Sequence, residues 1–250
     1  MTTPVAQYAL QLGDDALILS QRLSEWCAHA PELEEDVALA NLALDLLGQA
    51  RTLLTYAGSL EGRGRSEDDL AFLRTEREFR NVLLVEQPNG DFAMTIARQL
   101  YFATYQYELY AALCESTDAE LAGLAAKAVK EVAYHRDHAV QWTLRLGDGT
   151  EESRRRMQEG VDQLWPYTAE LFEADAVALE LAGSGAAVDP RTLRPAWEAS
   201  VAEVIEAATL TMPSGDWQPR GGRAGKHTEA FGLLLGEMQA LHRQFPGAAW

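Results

Sequence analysis

The sequence predicts an all-α protein, and three observations support this fold class. Apolar residues recur at helical spacing over long stretches, helix-start and helix-stop signals separate those stretches, and no convincing alternation of apolar and polar residues suggests a strand. Four of the predicted helices are roughly 25–28 residues long and are joined as two hairpins, as in a four-helix bundle. We therefore expect one helical-bundle domain over 1–250, with a core bundle at about 4–147 and peripheral helices at about 150–245.

The first two long helices are predicted on either side of a proline. The first runs over 4–29 and ends before Pro31, because a residue that precedes proline is disfavoured in helical geometry. The second runs from Glu32 to about Ser59, and acidic residues in its first turn favour the positive end of the helix dipole. A short helix is expected at 67–78 and an irregular connection at 81–90.

The other two long helices form the second hairpin. The third helix is predicted from Asp91 to Ser116 and is rich in aromatic residues. The fourth runs from Ala119 to Leu146, with Asp118 as its N-cap and glycines after its end.

Three further helices are predicted after the bundle. The fifth region, 150–183, is broken at Trp165-Pro166, and the sixth begins at Asp189-Pro190 and reaches about Leu210. A glycine-rich loop over 211–227 precedes the final helix at 228–245. In this loop Arg220 stands where a phosphate-binding loop has glycine, and His227 where it has Ser or Thr, so a turn is the favoured interpretation.

The net charge, hydrophobic pattern and cysteine content limit which classes of protein this chain can belong to. The net charge of −17 argues against a nucleic-acid partner. Because we find neither a basic, apolar leader nor an unbroken apolar run of about 18 residues, we expect a cytoplasmic protein without a membrane partner. Cys27 and Cys114 form no metal-type pair and are expected to be reduced thiols.

A polar seam is predicted inside the second helix. Residues 38–51 are apolar on nearly every side, which is typical of a buried helix. Asn41, Asp45 and Gln49 share one face of that helix because they are four residues apart. A buried carboxylate needs a partner, and Gly48 costs a helix about 1 kcal/mol relative to alanine, so stability alone does not explain this stretch.

The seam invites comparison with the di-metal sites of four-helix bundles. Such sites take one Glu from each of two helices and a Glu-x-x-His pair from each of the other two. Counting back from the first turn places Asp15 opposite Asp45, but Gly48 occupies the position of the histidine that should follow Asp45.

The second hairpin also departs from that pattern. Glu131 has Tyr134 in the histidine position, and His135 comes one residue late. Glu108 lies about one turn away from the height at which the third helix should supply an acid. We interpret the seam as the remnant of a lost metal site, in which Arg51, Lys127, Lys130 or His135 compensates the remaining carboxylates. A bonded set of buried polar residues and a working di-metal centre remain the alternatives.

The chain resembles the C-subunit family of bacterial phenylacetyl-CoA epoxidases. The matching stretches cover nearly the whole chain, and the first, LGDDALILSQRLSEWCAHAPELEEDVALANLALDLLGQAR, is the most specific: 12–51, 83–99, 126–135, 187–199 and 227–239. The resemblance implies a ferritin-like structural subunit without a catalytic, cofactor or metal site of its own.

The same resemblance implies the partners. A related catalytic subunit would hold the di-iron centre and the CoA thioester, and a small B subunit and a reductase with FAD, an iron–sulfur cluster and NADPH would complete the system. Two other functions stay open: a catalytic di-iron oxygenase that uses Asp15, Asp45, Glu131 and His135, or a homodimeric helical protein unrelated to oxygenases.

Overall fold

The computed structural model describes residues 3–248, and within that range the regular structure is helical without a strand, which confirms the all-α prediction. The α-helices of this range are α1 (Pro4–Ser24), α2 (Leu33–Glu61), α3 (Glu67–Phe72), α4 (Leu83–Glu86), α5 (Phe92–Leu113), α6 (Ala119–Gly147), α7 (Glu151–Leu164), α8 (Ala176–Ser184), α9 (Arg194–Ala207) and α10 (Glu229–Gln244). Short 3₁₀ turns lie at Glu76–Glu78, Trp165–Phe172, Pro190–Thr192 and Gly222–Ala224.

Local signals in the sequence define most of these boundaries. The side chain of Asp118 accepts hydrogen bonds from the backbone N–H groups of Glu120 and Leu121, as an N-cap should. Pro166 lies at the start of the 3₁₀ turn that follows α7, where the predicted break occurs. The first helix ends at Ser24, earlier than predicted, and turns follow it.

Two predictions between α2 and α5 are wrong. The helix expected over 67–78 stops at Phe72, because Thr75 is extended and begins a new turn that Glu78 caps. The connection over 81–90 contains the short helix α4.

The chain divides into two compact units. The first unit comprises Met1–Pro88 and Gly221–Trp250, and the second comprises Asn89–Arg220. The first contains the hairpin of α1 and α2, and the second contains the hairpin of α5 and α6. The single-domain assignment over 1–250 stays a prediction.

In the first unit α1, and not α2, is the helix buried on all sides. Every residue from Gln11 to Ser20 is buried, whereas α2 packs one face on α1 and leaves the other face in solvent. Leu44 is 63% exposed and Leu47 is 45% exposed. The predicted all-round burial of α2 is therefore wrong, because its apolar residues cover more of its surface than α1 can cover.

The second unit has an aromatic core around α5. Trp197 of α9 is 1% exposed and donates its indole N–H to the carbonyl oxygen of Tyr101 at 2.8 Å. The hydroxyl of Tyr101 donates to the carbonyl oxygen of Val161 on α7 at 3.0 Å. Gly160 lets α7 approach α5 closely, since a Cβ there would lie 2.9 Å from the Cα of Met94.

Candidate functional site

The first unit contains a largely buried cluster of ionisable side chains, which we call the anchor cluster: Asp14, Asp15 and Glu86 with Arg74, Arg223 and His227. Its acids lie on α1 and α4, and its arginines and His227 lie on the segments that connect the helices of this unit. Buried charges are stable only when they are paired and fully hydrogen-bonded, so the partners of each acid decide what the cluster does.

Asp14 is fully buried in the middle of α1 and is held by an arginine. Both terminal nitrogens of Arg74 donate to its carboxylate, and the backbone N–H of Arg80 donates to Oδ2 at 2.8 Å. The guanidinium of Arg74 also lies 4.0 Å from the centre of the Phe79 ring, a cation–π contact. Asp14 thus links the irregular segment between α3 and α4 to α1.

Asp15 is 2% exposed and pairs with Arg223, which lies in the glycine-rich loop. Arg223 Nη1 and Nη2 donate to its two carboxylate oxygens at 3.0 and 2.6 Å, and the backbone N–H of Val82 donates at 2.8 Å. Burial raises the pKa of Asp15 to about 6, because desolvation outweighs the opposing effects of Arg223 and the Val82 N–H.

Glu86 is the third buried acid of the anchor cluster. Its Oε2 lies 2.7 Å from His227 Nδ1 and accepts a hydrogen bond from the side-chain amide of Asn81 at 2.8 Å. Its Oε1 accepts from the backbone N–H of Thr228 at 2.6 Å, where α10 begins. Arg22 of α1 donates to the Glu86 carbonyl oxygen at 3.0 and 2.7 Å. Glu86 therefore joins α1, α4 and the start of α10.

The glycines of the 221–225 loop are explained by close packing and not by phosphate binding. A Cβ at Gly222 would lie 2.2 Å from the carbonyl oxygen of Asn81. Gly225 has φ +73°, and a Cβ there would lie 2.3 Å from the carbonyl oxygen of Arg77. Both glycines let the loop lie against the segment before α4, which brings Arg223 to Asp15.

Replacing Gly222 with alanine should therefore lower the free energy of unfolding by about 1–3 kcal/mol, the usual range for overpacking. Gly236→Ala on α10 is the matched control, because its Cβ would meet nothing within 4 Å and should stabilise the helix by up to about 1 kcal/mol. Urea unfolding of both variants checks this, and equal stabilities would argue against the close loop contact.

The predicted polar seam on α2 does not form a buried row. Of the three seam residues, Asn41 is exposed, Asp45 is half-buried and Gln49 is buried. The neighbouring Gly48 is exposed. A Cβ at Gly48 would meet no atom within 4 Å. The seam prediction is wrong in this respect, because the face that carries Asn41 and Gly48 turns away from α1.

The cation on Asp15 is not one that the sequence suggested. The side chain of Arg51 is 76% exposed and lies 3.3 Å from Glu67, and that of Lys127 is 81% exposed and lies 3.7 Å from Glu131. Lys130 is exposed as well. The charge partner of Asp15 is Arg223, which was not among the predicted cations because the glycine-rich loop around it was interpreted mainly as a turn.

The candidate residues of α6 lie in the second unit. Glu131 is half-buried, Tyr134 is 53% exposed and His135 is 1% exposed. Tyr134 therefore faces solvent while its neighbour His135 faces the interior. Whether Asp15, Asp45, Gly48 and these residues descend from a metal site stays a prediction.

The donor set of the anchor cluster does not fit a divalent metal. The carboxylates of Asp14 and Asp15 already accept hydrogen bonds from guanidinium and backbone N–H groups, and two guanidinium groups would repel an added dication. Over residues 3–248 we find no group of three or more His, Cys, Asp or Glu side chains arranged to hold a metal ion. The chemistry of this cluster is that of a structural clamp.

Comparison with known proteins gives two findings. The family model described as phenylacetic acid catabolic protein matches residues 1–250. Among characterised proteins, the chain is 54% identical over 243 residues to the C subunit of the 1,2-phenylacetyl-CoA epoxidase of Escherichia coli (strain K12). That similarity covers 97% of this chain and 98% of the relative.

Proposed function

The chain belongs to the phenylacetic acid catabolic protein family, and from this we propose that it is a non-catalytic, structural subunit of a multicomponent phenylacetyl-CoA epoxidase of aerobic phenylacetate degradation. In this proposal it works in the cytoplasm, where it pairs with the related catalytic subunit and keeps that subunit in its active shape. A small B subunit and a reductase complete the system.

The proposal assigns no cofactor to this chain. The di-iron centre belongs to the catalytic subunit, and FAD, the iron–sulfur cluster and NADPH belong to the reductase. The observation that carries this division is the environment of Asp15, the α1 acid of the predicted metal pattern, because its carboxylate accepts hydrogen bonds from Arg223 and the Val82 N–H and is not a free ligand.

The incomplete histidine pattern supports the same division. The position three residues after Asp45 is Gly48, which is exposed, and the position three residues after Glu131 is Tyr134, which faces solvent. Neither position supplies the imidazole that iron sites of this type take from each Glu-x-x-His pair. His135 remains as a single buried imidazole on α6.

Purification of the chain alone and together with the di-iron subunit of the same epoxidase tests the proposal. We expect the chain alone to contain little iron and to show no epoxidation of phenylacetyl-CoA with the reductase, and we expect the two chains to co-purify and to show activity. Near-stoichiometric iron and turnover in the chain alone would identify it as an oxygenase in its own right. A stable homodimer that does not bind the di-iron subunit would show that the chain has no role in the oxygenase.

A further inference from the structure

One face of α2 is apolar and points into solvent. Its large side chains are 77%, 55%, 63% and 45% exposed at Leu33, Val37, Leu44 and Leu47. Together with Ala40 these positions are separated by alternating steps of four and three residues, which is the spacing of the seam of a coiled coil. We call these five residues the outer face of α2. Apolar patches of this kind are often found where a soluble protein binds a partner.

Gly48 leaves open space beside this face. It lies next to Leu44 and Leu47, it is exposed, and nothing in the chain lies within 4 Å of the Cβ it lacks. Gly58 on the same helix differs, since a Cβ there would lie 2.4 Å from the carbonyl oxygen of Arg65. A helix that packs on this face would therefore find room for its backbone at Gly48.

A groove continues the outer face toward the C-terminal half of α2. It has a volume of about 300 Å³ and lies between α2 and α3. Leu17, Leu54 and Phe72 line its apolar floor, while Leu47 joins it to the outer face. Its rim carries the acidic Glu67 and Asp68. A bulky apolar side chain, or a basic one with a long apolar stem, fits such a groove.

The charges around the outer face indicate which kind of partner binds there. Glu32 and Glu34 are exposed at its N-terminal end, and Glu67 and Asp68 lie at the groove. Arg51 is a basic residue beside the face, and Glu67 already lies 3.3 Å from it. A second copy of a chain with net charge −17 would present the same acidic flanks, so electrostatic complementarity disfavours it.

We propose that the outer face of α2 is the docking surface for an amphipathic helix of the di-iron subunit, with an apolar seam that Lys and Arg residues flank. This inference rests on the proposed function and adds the surface at which the two subunits meet. Gly48 lets the two helices approach closely, and the adjoining groove accepts a side chain from the partner.

The test measures the affinity of four variants for the purified di-iron subunit. Leu44→Glu places a charge on the outer face, and Gly48→Leu fills the space beside it. Leu233→Glu and Gly236→Leu on α10 are the matched controls, because Leu233 is 80% exposed and a Cβ at Gly236 meets nothing within 4 Å. We expect the two α2 variants to lose at least about 100-fold in affinity, and the two controls to keep the wild-type affinity.

All four positions are exposed, so circular dichroism and thermal midpoints should confirm that each variant is folded. If wild type and both α2 variants bind equally well, this inference is overturned and the proposed function stands. If the wild-type chain does not bind the di-iron subunit, the proposed function fails as well.

Two other partners of the outer face, a second copy of the chain and a lipid surface, can each be detected by a separate measurement. A wild-type dimer in analytical ultracentrifugation that Leu44→Glu dissociates would show that a second copy covers the face, and would overturn the inference. Among residues 3–248, α2 is the helix long and apolar enough to cross a membrane, a criterion that core helices of soluble proteins also meet. Flotation of the wild-type chain with lipid vesicles, lost in Leu44→Glu, would identify a lipid surface and would also overturn it.

Discussion

Replacing Arg74 with methionine is expected to lower the free energy of unfolding by about 3–5 kcal/mol, the cost of removing one partner of a buried ion pair. The side chains of Arg74 and Asp14 are 2% and 0% exposed, so the substitution leaves an uncompensated carboxylate in the interior. Arg74 also contacts the Phe79 ring and donates to the Glu78 carbonyl oxygen at 3.1 Å, and the variant loses both contacts. Urea unfolding at neutral pH measures the loss.

Arg51→Met is the matched control for this substitution. The side chain of Arg51 is 76% exposed, and its pair with Glu67 lies on the surface, so we expect its removal to change the free energy of unfolding by about 0–1 kcal/mol. A loss below about 1 kcal/mol in Arg74→Met would show that the interior near Asp14 accommodates the change, and that the anchor cluster is not a clamp.

The second large effect is a pH dependence that belongs to Asp15. Its pKa is raised from 3.8 to about 6 in the folded chain, so the folded state binds the proton more tightly than the unfolded state does. The contribution of Asp15 to stability therefore improves as the pH falls from about 7 to about 4, by roughly 2–2.5 kcal/mol for a shift of this size. Above pH 6 that contribution is absent.

Comparison of wild type with Asp15→Asn isolates this effect from the other acids. We expect the difference in unfolding free energy, wild type minus variant, to move in favour of wild type by roughly 2–2.5 kcal/mol between pH 7.5 and pH 4. Asp69→Asn is the control with the opposite sign: hydrogen bonds from Ser66 lower the pKa of Asp69, so wild type should lose its advantage over that variant as the pH falls. A pH-independent difference for Asp15→Asn would contradict the raised pKa.

The helices were predictable from the sequence because their signals are local. Capping by Asp118 and the proline at 166 depend on residues that lie within a few positions of the helix ends. Burial was not predictable in the same way. Composition marked α2 as the buried helix, yet α1 is the one enclosed on all sides, because the partners that make its acids tolerable come from distant parts of the chain.

The candidate site shows the same division between local and distant signals. Asp15 was identified by counting back from the first turn to the position opposite Asp45, but its partner Arg223 lies 208 residues away. The glycines around Arg223 are explained by the carbonyl oxygens of Arg77 and Asn81, which leave no room for a Cβ. The sequence alone does not show these contacts. Asp14, Glu86 and Arg74 were not predicted as site residues, because nothing in the sequence around them distinguishes them from surface charges. Their contacts in the folded chain show that they are buried and paired.

The exposure of α2 follows from the same limit. Periodicity finds an apolar helix but does not say which of its faces another part of the chain covers. Leu44 and Leu47 therefore entered the prediction as core residues, whereas they lie on the face that we assign to a partner subunit.

The iron content of the assembled pair of subunits tests the central claim most directly. In the combined variant Asp45→Asn, Glu131→Gln and His135→Gln, the account predicts the same iron per di-iron subunit and the same turnover per assembled complex as in wild type, since this chain holds no metal. A complex that assembles normally but loses iron, together with its activity, would contradict the account.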